Sequence, residues 1–213
     1  MEFLLENILN LIGFLVGFAI GTMSLIGFRN TGSPTLFRLT LAFFSISFGF
    51  FVIWAGYMVE DFVFKSGSIE RWIQTLGIAI QTIGYFFIAF SHSIKSFFPK
   101  SNYFRSIGFF PLFLVSSIQL EHIFRSVSFI LLAYGAIETM LSYFENKNKG
   151  AISVSIGLSF LALGEFLGWY SFVFPESILY PISMIIKIAG LIALFIPVSK
   201  VPLTKIKFDG DFE

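Results

Sequence analysis

Apolar residues in this chain fall in long unbroken runs, not in the half-apolar stripes of a water-exposed helix or the alternation of a half-buried strand. A helix needs about 20 apolar residues to cross roughly 30 Å of hydrocarbon. Six runs meet that length: 4–28, 39–59, 72–94, 123–144, 151–174 and 177–197. A seventh, 103–120, is weaker, since it opens on Tyr103 and Arg105 and contains Pro111. Loop chemistry separates the runs at Asn30–Pro34, Lys65–Ser68 and Asn146–Gly150, where Gly, Ser, Asn and Pro cluster. The first run is longer than a signal-peptide core and follows Glu2 and Glu6 instead of basic residues, so it reads as a permanent span.

Basic residues orient the spans, because cytoplasmic loops carry an excess of Lys and Arg. With seven spans and the N-terminus outside, ten fall on the cytoplasmic side: Arg29, Arg38, Lys95, Lys100, Arg105, Lys147, Lys149, Lys200, Lys205 and Lys207. Three fall outside: Lys65, Arg71 and Arg125. If 103–120 did not cross, five of the ten would move outside, so the charge pattern selects seven spans with the C-terminus inside. The expected fold is thus a single all-α membrane domain over 1–213, with a cytoplasmic tail, 198–213, too short to form a soluble domain. It is multi-pass, in a cell or cytoplasmic membrane.

Composition sharpens this picture by exclusion. Charged residues make up only 13% of the chain and hydrophobic ones 56%, against about 25% charged in an ordinary soluble domain. A net charge of +1 gives no basic face for nucleic acid, and the absence of cysteine removes disulfide and thiol chemistry. The expected partners are the lipid bilayer and either a second copy of the chain or a larger membrane complex. No cofactor is implied.

The two halves resemble each other. Ala19-Ile-Gly-Thr-Met23 matches Ala136-Ile-Glu-Thr-Met140 at an offset of 117. Gly49-Phe-Phe-Val-Ile-Trp54 matches Gly164-Glu-Phe-Leu-Gly-Trp169 at 115, and Gly84 with Ser93 matches Gly190 with Ser199 at 106. Repeat one would cover 4–94, a linker helix 103–120 and repeat two 123–197, a parallel 3+1+3 duplication known among transporters. This plan resembles that of the small seven-helix sugar carriers and, more loosely, of opsins and seven-helix receptors. The Pro-Gln pair that the sugar carriers place in corresponding helices is absent here, and a shared plan does not carry function.

Three ionisable residues fall inside predicted spans: Glu138, Glu165 and Lys187. Each costs roughly 2.5–3.5 kcal/mol at a helix centre, so each should face the bundle interior and find a partner. Glu165 and Lys187 lie about ten residues either side of the Pro175–Ser177 turn, roughly 15 Å below the outer surface, and are expected to pair near mid-bilayer. Glu138, roughly 10 Å from the inner end of its helix, is a second candidate partner for Lys187. Through the repeat these three correspond to Gly21, Phe50 and Gln81, so the intramembrane charges belong to the second half. Gln81, Trp54, Trp169 and Tyr85 are the expected neighbours of the cluster. The competing reading is that a Glu–Lys pair merely fixes helix packing.

Gly13, Gly17 and Gly21 form a small-residue face on the first helix, suited to close packing within the chain or to a dimer contact. His92 and His122 fall near opposite membrane faces, so they cannot share a metal. No G-x-S-x-G, H-E-x-x-H or Walker A pattern marks an enzyme. The expectation is a small polytopic protein that binds or passes a small solute, ion or proton at a mid-bilayer polar cluster. A sensory module acting through a separate partner and a non-catalytic subunit of a larger complex are the alternatives.

Overall fold

The computed structural model describes residues 2–59, 68–93, 120–147, 149–171, 174 and 178–199. The run 103–120, apart from Leu120, and the tail beyond Ser199 lie outside the described residues. The described residues form six helices: α1 (Glu2–Thr31), α2 (Pro34–Val59), α3 (Ser68–Ser93), α4 (Leu120–Asn146), α5 (Lys149–Tyr170) and α6 (Leu179–Ser199). The shortest has 21 residues, about 32 Å at 1.5 Å per residue, and all six are long and apolar enough to cross a membrane. Leu15, Phe18, Phe48, Ile83, Phe86, Ile156, Ile185 and Ile192 are exposed on the outside of the bundle. Apolar residues on the outer as well as the inner face belong to helices that meet lipid. The chain is an all-α, multi-span membrane protein.

Several helix ends have identifiable stop signals. Gly32 adopts φ 67° and its amide donates to Phe28 O at 2.7 Å, which caps α1 in the left-handed conformation glycine tolerates. Pro34 then opens α2, where its missing N–H costs nothing. At the end of α4, Lys147 takes φ 49° and donates to Tyr143 O at 2.7 Å.

The helices form a closed ring in which each packs on its chain neighbour and α6 returns to α1. Gln74 near the start of α3 and Arg125 near the start of α4 both meet Tyr180 near the start of α6. Glu6 near the start of α1 accepts from Tyr57 near the end of α2. The starts of α1, α3, α4 and α6 and the ends of α2 and α5 therefore share one end, here the upper end. The turns after α1 and α4 share the lower end. It follows that α3 and α4 run in the same direction, with Ser93 at the lower end and Leu120 at the upper.

Small residues set the close contacts. A Cβ added at Gly13, Gly17 or Gly21 would press on Phe50, Ser47 or Phe44 of α2, so this face is used inside the chain. Gly49 of α2 lies under Gln81 of α3, and Gly164 of α5 lies under Lys187 of α6. Gly84 of α3 packs on Ala42 and Ile46, and Gly190 of α6 packs on Gly157 and Leu161.

The interior is divided by depth. Ile20, Phe43, Ile46, Ile88, Leu132, Leu158, Leu161, Leu191 and Leu194 fill its lower half. At the lower end a cavity of about 130 Å³ opens between α2, α3, α5 and α6, lined by Leu36, Leu39, Phe43, Ile88, Val154, Leu194, Pro197 and Val198. The buried charged side chains occupy the upper half, while the lower half holds hydroxyls, Ser24, Thr40, Ser91, Thr139 and Ser155, among its apolar residues.

Candidate functional site

Glu165 stands at the centre of the upper interior. It projects from α5 between Gly164 and Gly168, and its side chain has 0% relative exposure. Lys187 of α6 places Nζ 2.6 Å from Glu165 Oε1, and Arg125 of α4 places Nη1 3.4 Å from Oε2. Tyr85 of α3 donates its hydroxyl to Oε1 at 3.1 Å. Arg125 also donates Nε and Nη2 to Glu121 Oε1, one helical turn before it on α4, at 3.1 and 3.0 Å. Two carboxylates and two cations thus form one electrically balanced network, in which Lys187, Arg125 and Glu121 are 4%, 1% and 2% exposed.

Backbone direction and side-chain size explain why these groups meet. Side chains on a helix lean toward its N-terminus. Lys187 and Arg125, on helices that start at the upper end, lean upward, whereas Glu165, on a helix that ends there, leans down toward them. The cations also need room to pass α5, and its glycines give it. A Cβ at Gly164 would lie 2.5 Å from Lys187 Cγ, and one at Gly168 would collide with Arg125 Nη1. Above the network, Arg125 Cζ lies 5.6 Å from the centre of the Tyr180 ring, whose hydroxyl accepts from Gln74 Nε2 at 3.0 Å. Such a cation–ring contact strengthens when water is excluded.

The residues picked out from sequence are divided by this arrangement. Glu165, Lys187 and Tyr85 come together. Gln81 lies one turn above Tyr85 on α3, 1% exposed, with neither amide atom in a hydrogen bond. Glu138 is not brought in: thirteen residues of α4 separate it from Arg125, about 20 Å of rise. Trp54 stacks into the ring series of Phe51 and Phe14 between α1 and α2. Trp169 packs against Phe166, meets His122, the residue next to Glu121, edge-on, and makes no hydrogen bond to the network. The depth also needs correction, because the α5–α6 connection is longer than the expected turn. Glu165 lies five residues before the end of α5 and Lys187 eight after the start of α6, about 8 and 12 Å from the helix ends. The network belongs to the upper half of the bundle.

Arg125 and Glu121 were not among the expected site residues, because the sequence places Arg125 in an outer loop. The available signal was their spacing. Glu121 and Arg125 stand four apart at the head of an apolar run, the separation that puts an acid and a base on one helix face. Buried at 1% inside α4, Arg125 is not a loop charge. Among the described residues no three His, Asp or Glu side chains converge as a metal site would need.

No protein-family model matches the chain, and searches of curated proteins and of solved structures found no match either. Function is therefore argued from the site itself.

Proposed function

We propose that this protein is a small seven-helix carrier that binds and passes a small solute, ion or proton at the network centred on Glu165. The observation that carries this reading is the coordination of Glu165 by Lys187, Arg125 and Tyr85 from three different helices, with no exposure. Buried ion pairs are a poor way to gain stability, since well-packed apolar residues commonly serve as well or better. Inside a membrane such groups more often mark pathways and relays. Lys187 neutralises Glu165 at rest, and a proton on Glu165 or a polar group of the solute releases it.

Among the described residues, buried apolar Ile88, Leu161 and Leu194 lie below the network. In this reading passage beyond them requires the helices to rearrange, as in a carrier and not an open channel. The lower cavity lies where the opposite opening would form. In this reading the halves are parallel repeats. The offsets of 115 and 106 that align the sequence also relate Gly49–Gln81 to Gly164–Lys187, and Gly84–Ala42–Ile46 to Gly190–Gly157–Leu161. The same offsets pair Leu39 with Val154 and Ile88 with Leu194 across the cavity. Since α3 ends at the lower end and α4 starts at the upper, the linker span expected at 103–120 would make the return. With it the N-terminus lies outside and the C-terminus in the cytoplasm.

The test is flux in proteoliposomes. Stopped-flow light scattering would follow a panel of neutral solutes, and entrapped dyes would follow protons and monovalent ions. Wild-type protein should pass at least one of them, and Lys187→Met, reconstituted in equal folded amount as judged by a cooperative unfolding transition, should not. Flux of none, or equal flux by the variant, leaves the network as a packing device and rejects the carrier.

A further inference from the structure

The stripe of α3 that faces the network runs Gln74, Ile78, Gln81, Tyr85, at the three- and four-residue spacing of one helix face. Gln74 is engaged above, with Tyr180, and Tyr85 below, with Glu165. Gln81 stands between them, 1% exposed, its Nε2 and Oε1 both without a partner. Its stem rests on Gly49, where an added Cβ would lie 2.5 Å from Gln81 Cγ. Under the repeat, Gln81 stands where Lys187 stands in the second half, and Phe50 stands where Glu165 stands. The first half thus offers the amide no carboxylate corresponding to Glu165. A buried amide with neither donor nor acceptor used is costly, and bulk water cannot satisfy it inside a bilayer.

We propose that the Gln81 amide lines the binding position for a small uncharged molecule carrying a hydrogen-bond donor and acceptor side by side, such as a carboxamide or a hydroxyl-bearing solute. This rests on reading the network as a solute-binding core, and it names the solute's chemistry. A carboxamide offers two N–H donors and one acceptor oxygen, so it selects a partner with both functions. The adjacent network already balances two carboxylates against two cations, so an occupant with net charge would be left uncompensated in a dry interior. Water shares the chemistry, and the experiment separates it from a solute.

Thermal unfolding of the purified protein in detergent, wild type against Gln81→Met, gives opposite signs for an occupied and an empty position. Methionine keeps the length and removes the polar atoms. If the amide is satisfied by an occupant, Gln81→Met should lower Tm by about 3 °C. Acetamide should then raise the Tm of wild type but not of Gln81→Met, and potassium acetate at equal concentration should raise neither. A lowered Tm with no response to acetamide assigns the position to water and overturns a solute there. A raised Tm for Gln81→Met means the amide is dry and overturns the proposal. Should the variant not fold, cross-relaxation from the Gln81 side-chain amide protons of wild type, labelled with nitrogen-15 glutamine, decides instead. Contact with acetamide protons supports the site, and contact with water alone or with neither overturns it. Neither readout depends on flux or on Lys187, so failure here is distinct from failure of the carrier reading.

Discussion

A carboxylate with no exposure to solvent needs its counter-charges, and the network around Glu165 gives each member a testable weight. Glu165→Gln leaves Arg125 and Lys187 sharing only Glu121, one uncompensated positive charge in a dry site. Breaking a buried pair in this way should lower stability by about 3–5 kcal/mol. Adding Lys187→Met to Glu165→Gln restores the balance of one acid and one base, so the double variant should recover part of that loss in a thermal unfolding series. Strict additivity of the two single losses would mean that the groups do not interact. Arg125→Lys is not conservative here. One ammonium cannot reproduce the fork that holds Glu121 through Nε and Nη2 and Glu165 through Nη1. It should cost roughly 1.5–3 kcal/mol, the worth of a hydrogen bond to a charged group. Part of this was legible in the sequence. Glu165 and Lys187 announce themselves as charges inside apolar runs, at similar distances from a turn. Arg125 and Glu121 do not, because a charge at a span's edge looks like a loop charge until the helix is seen to start at Leu120 and turn both inward. Glu138 misled for the converse reason: it falls inside an apolar run, but nothing in the sequence fixes its distance from the network.

At the scale of helices, the spacing of glycines decides how closely α5 can approach its neighbours. Gly164 admits the Lys187 stem, and a Cβ there would also lie 3.0 Å from Ser183 O. Gly164→Ala should therefore separate α5 from α6 and destabilise by about 1–3 kcal/mol, the usual cost of overpacking. Gly135 on α4 is the control. The nearest atom to an added Cβ is Leu158 Cδ1 at 3.4 Å, so Gly135→Ala should be neutral or slightly stabilising in the same unfolding assay, since alanine favours helix. The G-x-x-x-G face of Gly13, Gly17 and Gly21 was legible as a packing surface. Its partner was not, because small residues declare closeness without declaring to what. The contacts with Phe50, Ser47 and Phe44 assign it to α2.

Across the whole molecule, the long apolar runs left little doubt about a helical membrane protein, and their order alone gave six of the helices. Their arrangement into a ring with the buried charges gathered in its upper interior was not legible, since it depends on which face of each helix turns inward. The carrier reading makes an orientation prediction that the absence of native cysteine makes simple to check. Ser33→Cys and Lys147→Cys, in the two lower turns, should both react with a membrane-impermeant thiol reagent only from the cytoplasmic side, and Ile178→Cys only from outside. The central claim, that the network is a place solutes reach and not a sealed packing device, is tested most directly at Ser183. This residue is 0% exposed, and its hydroxyl lies 3.4 Å from where a Cβ on Gly168 would stand, beside the Arg125 guanidinium. The rate at which a small water-soluble thiol reagent modifies Ser183→Cys in membranes should be measured against that of Ile178→Cys, which is 63% exposed. The account predicts that Ser183→Cys reacts, more slowly than Ile178→Cys but to completion, as the bundle opens. No reaction at Ser183→Cys while Ile178→Cys is fully modified would contradict it.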